Sequence, residues 1–103
     1  MVYLTVIYRP PLDPAAFMDH YFGIHVPLTK KIPALRSYVV SDSPIAFPDG
    51  TGAPYALIAH LGFDDAEALS AALASPEGRA AAADVAIFAT GGVTMLTYDA
   101  RAV

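Results

Sequence analysis

Tyr21-Phe22-Gly23-Ile24-His25-Val26-Pro27-Leu28 runs on into Ile32-Pro33-Ala34-Leu35-Arg36-Ser37-Tyr38, and the reading of this stretch decides the fold. Phe17, Tyr21, Ile24 and Leu28 recur at i, i+4, i+7 and i+11, the stripe of an amphipathic helix. Asp13-Pro14 gives that helix an N-cap followed by proline at its first position. Pro27 has no amide hydrogen and is expected to kink or shorten the helix. Leu35 to Val40 then reads as a strand. The stretch is a helix–strand corner carrying a titratable imidazole, two tyrosines and an arginine.

The flanking segments complete the pattern. Val2 to Tyr8 is β-branched and aromatic on both parities and reads as a first strand, ended by Arg9-Pro10-Pro11. Ser41 to Pro54 is rich in Ser, Asp, Pro and Gly and reads as a loop. Tyr55 to Gly62 is a third strand, apolar apart from His60. Asp64 with Glu67 fits a capping box for the next helix. Ser75-Pro76-Glu77 starts another helical run through Ala80–Ala83, with Val85 and Phe88 inward and Gly91-Gly92 as its stop. Val93 to Tyr98 is the last strand. The order β-α-β-β-α-β is the split pattern of an α+β, ferredoxin-like domain, a single one over 1–103.

Bulk composition bears on partners. Charged residues are only 16% of the 103 residues while 55% are hydrophobic, against about 25% charged in an ordinary soluble domain. Helices cover one face of such a sheet, and the other should alternate polar and apolar if water wets it. It does not alternate cleanly, so a homodimer packed sheet against sheet is expected. The net charge of −4, with no basic cluster beyond Lys30-Lys31, argues against nucleic-acid binding. No apolar run reaches the ~18 residues of a membrane span, and the N-terminus reads as a strand, not a leader. With no cysteine there is no disulfide, zinc–thiolate or thiol chemistry. Cytoplasmic location is the default expectation.

The segments Tyr21-Phe22…His25-Val26-Pro27-Leu28, Ile32 to Tyr38, Tyr55 to Phe63-Asp64, Ala74-Ser75-Pro76-Glu77-Gly78-Arg79 and Asp84 to Phe88, in this order, resemble the EthD family of the dimeric α+β barrel superfamily. The family pattern often has Trp where Phe22 stands. The resemblance implies a ferredoxin-like protomer, a dimer whose sheets form a barrel, and a pocket in each subunit. Relatives in the superfamily act on aromatic or lactone substrates as cofactor-independent monooxygenases, isomerases or cyclases, and others bind heme.

His25 is the leading candidate for chemistry. Its ordinary pKa suits proton transfer at neutral pH, and it follows Tyr21 by one turn, so the two rings share a face. The family carry-over falls on it too. The competing reading is a structural histidine capping the helix end at Pro27. His60 is either a second acid/base group or a satisfied core histidine, depending on strand parity. His20, beside Asp19, reads as surface. Tyr3, Tyr8, Tyr38, Tyr55, Tyr98 and Phe88 either line a pocket for a flat apolar ligand or pack as core and interface. Arg36 and Arg79 are candidates to pair with a carboxylate. The three histidines read as lying on different faces, so no metal site is expected. Without nucleotide or thiol motifs, no bound cofactor is expected either.

The candidate site is thus His25 and Tyr21 as catalytic pair, with Tyr8, Tyr38, His60 and Phe88 contacting substrate. The first functional reading is a cofactor-independent enzyme of monooxygenase, isomerase or cyclase type. It would act on a small aromatic or polyketide-like compound, with His25 moving a proton. The alternatives are a non-catalytic binding protein for a small hydrophobic molecule, or a structural dimer.

Overall fold

Every second residue of β1 (Val2–Tyr8) is buried: Val2, Leu4, Val6 and Tyr8 turn inward, while Tyr3, Thr5 and Ile7 stay half-covered. This period-2 pattern gives the sheet one face against helices and one left open. A computed structural model describes residues 1–103. The sheet is antiparallel throughout, with β2 (Ser37–Val40), β3 (Leu57–Phe63) and β4 (Val93–Asp99) in the order β2-β3-β1-β4. Two helical arms cover its inner face. The first is α1 (Pro14–His20), a wide π-turn (Tyr21–His25) and α2 (Val26–Lys30); the second is α3 (Ala66–Ala74) followed by α4 (Pro76–Phe88). The architecture is the ferredoxin-like α+β fold. No helix is long and apolar enough to cross a membrane.

The caps follow local chemistry. Asp13 accepts from the Ala16 amide and Pro14 opens α1. The α3 cap is Asp65, not Asp64, and it accepts from the Ala68 amide. Asp64 instead faces the Arg36 guanidinium at 3.0 Å, an exposed pair of small energetic weight. Ser75 closes α3 and caps α4 through the Gly78 amide. Strands β2 and β3 both begin two residues later than the sequence suggests, because Leu35-Arg36 and Tyr55-Ala56 precede the first ladder pairs.

Between sheet and helices the core is a ring cluster. Tyr8 meets Phe17 edge-on at 5.4 Å and Tyr21 at 5.6 Å, and Phe88 closes on all three. Each such buried ring contributes about 1.5–3 kcal/mol from apolar burial. The second arm can bend back at Ser75 because Gly78 sits hard against the end of α3. A Cβ there would lie 2.1 Å from the Ala72 carbonyl oxygen. That neighbour is backbone and cannot swing away. Gly78→Ala should therefore destabilise the fold by about 1–3 kcal/mol, read as a lower urea midpoint; an unchanged midpoint would mean that the α3–α4 corner is free to open.

Candidate functional site

The wide turn at Tyr21–His25 decides what faces the core. In a regular α-helix the i+4 position drifts by about 40°, so the inward stripe should pass through Ile24 and Leu28. Here it runs Phe17, Tyr21, His25, Thr29: all four are buried, and Ile24 is 50% exposed. Within the turn the Val26 amide bonds to the Tyr21 carbonyl, five residues back. Pro27 explains the widening. It offers no N–H and its ring crowds the carbonyl of the residue four before it, Gly23. The chain relieves this by taking a wider turn, and the helix continues into α2 instead of ending. The expected kink is thus a π-turn, and its result is to turn His25 inward.

His25 arrives against Asp84, a buried carboxylate on α4. His25 Nδ1 lies 2.9 Å from one Asp84 oxygen, and His20 Nε2 lies 2.7 Å from the other. A carboxylate only accepts, so both imidazoles donate. This puts the His25 proton on Nδ1 and leaves Nε2 as a bare acceptor. Burial lowers the His25 pKa; the Asp84 carboxylate pulls it up by less, and His20 adds a small push downward. The ring is therefore a neutral base at neutral pH.

Beside it the Tyr21 and Tyr38 hydroxyls share a 2.7 Å hydrogen bond. Burial raises the pKa of both, so they act as hydrogen-bond donors and not as acids. Tyr8 is raised for the same first cause. Thr29 Oγ1 is buried without a hydrogen-bond partner. These groups form the polar end of a cavity of about 60 Å³ between sheet and helices. Small residues make the space, since Ala59 on β3 faces Gly78 and Ala81 on α4. Leu73 and Met95, 39% and 47% exposed, stand at the mouth.

The placement of the other candidates differs. Tyr8, Tyr21, Tyr38 and His25 line the cavity together. Phe88 does not; it packs behind His25 at 4.8 Å, as core. His60 lies on the opposite face of the sheet. Ala59 and Leu61 take the inward parity, so His60 stacks on Tyr3 at 4.2 Å and meets the Tyr98 hydroxyl at 2.6 Å. His20, read from sequence as surface, is a site neighbour. Asp84 went unnoticed because it lies 59 residues from His25 in the chain; its one local signal is an acid on the inward side of an otherwise alanine-rich helix. The 41–54 loop borders a separate, larger outer groove of about 650 Å³ and does not line the cavity. That groove contains no histidine, so the smaller cavity is the better chemical candidate. No group of three or more His, Asp or Glu side chains converges as a metal site.

Comparison with known proteins bears on the fold and the family. The family model described as "EthD domain" matches residues 9–92. An "Uncharacterized 11.0 kDa protein in thcB-thcC intergenic region" of Rhodococcus erythropolis is 43% identical over 103 residues, all of this chain and 98% of the relative. The crystal structure of an ethyl tert-butyl ether D (EthD) family protein from Bacillus halodurans C-125 superposes with a TM-score of 0.89 at 36% identity, over 98% of this chain and 99% of that one. A dimeric ferredoxin-like protein of unknown function from Jannaschia sp. CCS1 has the same fold, with TM-score 0.70 at 16% identity over 96% and 98% of the two chains.

The lowered His25 pKa has a consequence for stability. An unfolded chain holds the ordinary value of 6.5, so it binds the proton more readily than the folded one. The His25 contribution is complete above that value and is lost as pH falls through the lower folded value. The melting temperature should drop as pH is lowered below 6.5, and less steeply in His25→Gln. Parallel pH curves for the two proteins would show that the fold does not hold this ring neutral.

Proposed function

The chain belongs to the EthD family, and from the geometry of its cavity we propose that it is a cofactor-independent proton-transfer enzyme acting on a small, flat, apolar compound. One observation carries the reading: Asp84 occupies the Nδ1 of His25, which leaves Nε2 as the free acceptor of a ring that lines an otherwise apolar cavity. An Asp-oriented neutral imidazole beside a largely apolar cavity is what a general base requires.

The step is a proton abstraction. His25 Nε2 takes a proton from an activated C–H or O–H of a small aromatic or polyketide-like compound. The bonding pair stays on the substrate as an enolate or phenolate. Of the two protons in the bonded Tyr21–Tyr38 pair, one is used between the hydroxyls and one is free to donate to the developing oxyanion. Returning the proton from His25 to another carbon completes an isomerisation; in a cyclisation the enolate carbon instead attacks a carbonyl of the same molecule, the C=O π bond breaks, and the new alkoxide takes the proton from His25. With dioxygen as co-reactant and oxidant, the carbanion adds O2, the peroxide anion takes the proton from His25, and loss of water with the second C–H proton leaves a carbonyl. The cavity, about 60 Å³, holds about two waters' worth of space. An aromatic ring would therefore enter by moving Leu73 and Met95, and methionine adapts readily to such displacement.

The reading includes a homodimer. The open face of the sheet presents Tyr3, Ile7, Val39, Ile58, Leu96 and Tyr98, with no Asp, Glu, Lys or Arg among its strand positions. Val39 is 59% and Leu96 51% exposed in the isolated chain. A second copy laid face to face would cover them, and the description of proteins of this fold as dimeric supports a homodimer. The alternative of a non-catalytic binding protein uses the same cavity without turnover.

Two experiments test this. In a thermal-shift screen of aromatic and quinone-like compounds, at least one compound should raise the melting temperature of the wild type but not of His25→Ala, because a ligand of the native state stabilises it. Turnover of that compound should fall by about 10²-fold or more in the variant. If no compound shifts either protein while His25→Ala alone melts lower, His25 is structural. For the dimer, light scattering at micromolar concentration should give twice the chain mass, and Leu96→Glu should give monomer with its secondary structure intact. A monomeric wild type would remove the face-to-face arrangement.

A further inference from the structure

His20 is the one histidine near the site to which the proton transfer assigns nothing. It ends α1, one residue before the π-turn. Its ring stacks on Phe88 at 5.0 Å with 26° between the planes, and Phe88 also touches His25, at 4.8 Å. Its Nε2 holds Asp84 Oδ1, while His25 Nδ1 holds Oδ2. Asp84 and His25 side chains are each 7% exposed, and His20 is 22% exposed. His20 faces an outer groove of about 220 Å³ that it shares with Leu12, Asp13 and Thr90. The carboxylate therefore stands between two imidazoles, one turned to the inner cavity and one to the outside.

We infer that His20 is a positioning residue: by taking one oxygen of Asp84 it holds the other on His25 Nδ1, and so helps burial to keep His25 an uncharged acceptor beside the cavity. This rests on the proton-transfer reading and extends it. The torsion about the terminal carboxyl bond is broad, so a carboxylate with one partner can rotate. Donors on both oxygens fix its plane and hold the second oxygen on His25 Nδ1. A shared carboxylate also gives each ring only part of its pull. Left to His25 alone, it would pull the ring harder toward the imidazolium, which has no lone pair for substrate, against the burial that lowers its pKa. The groups that face His20 are Asp84 from α4 and, across the groove, Asp13. His25 meets Asp84 directly, and Tyr21 lies 5.2 Å away. No other charged side chain lines the inner cavity.

The test needs no substrate. Long-range ¹H–¹⁵N spectra of the ligand-free protein report the His25 tautomer and its titration midpoint. In the wild type His25 should carry its proton on Nδ1 and titrate below 6.5. His20→Phe should raise the midpoint by about half a pH unit or more. His20→Gln, whose amide N–H can still donate to Oδ1, should keep the wild-type midpoint. If His20→Phe does not fold, His20→Asn, too short to reach Asp84, is read in its place. A midpoint unchanged in every variant, with only the melting temperature lowered, would overturn the inference and make His20 a staple between α1 and α4. A wild-type His25 protonated on Nε2 would overturn the base assignment, and this inference with it. The two failures are read from different samples and are not confused.

Discussion

A buried carboxylate needs donors, and Asp84 takes both of its own from the neighbouring helical arm on the same face of the sheet. His20 and His25 lie at the two ends of a five-residue step on that arm, and each supplies one ring N–H. Breaking a hydrogen bond to a buried charge costs about 1.5–3 kcal/mol, so this one side chain ties the first helical arm to the second. The same contact orients His25 and fixes which of its nitrogens is free. Stability and the proposed chemistry depend on the same atoms, so substitutions at Asp84 should disturb both together.

The clamp works only because the helix widens before Pro27. With regular α geometry Ile24 would point into the core, and His25 would lie to one side of Asp84. The π-turn adds the rotation that lets Phe17, Tyr21, His25 and Thr29 form one buried line. A proline expected to kink or shorten a helix is here the reason its inward face changes register. Gly23, with no Cβ and open space around it, adds no obstruction at that turn.

The two faces of the sheet differ in kind. The inner face is closed by rings and leaves a small cavity where Ala59, Gly78 and Ala81 are too small to fill it. The outer face is half-covered and apolar, and its one imidazole, His60, is engaged by Tyr3 and Tyr98. A water-facing sheet would show more charge. The composition already hinted at this imbalance, with 16% charged residues in a chain of 103.

Much of the fold was legible in the chain because its signals are local. Strand alternation, the Asp13-Pro14 and Ser75-Pro76 starts and the stop at Gly91-Gly92 act within a few residues of themselves, and their order dictates the ferredoxin-like sheet. His25 and Tyr21 were legible as neighbours for the same reason. The parity of His60, the retreat of Phe88 into the core and the roles of His20 and Asp84 were not. Each depends on which face an element presents once packed, and a carboxylate 59 residues away leaves no mark on the sequence around His25. By itself the sequence determined the elements, their order and the presence of a base near a helix end. Only the tertiary structure decided which way that base points, because its direction is set by a helical turn widened under Pro27 and by a hydrogen bond that exists only when the two arms meet.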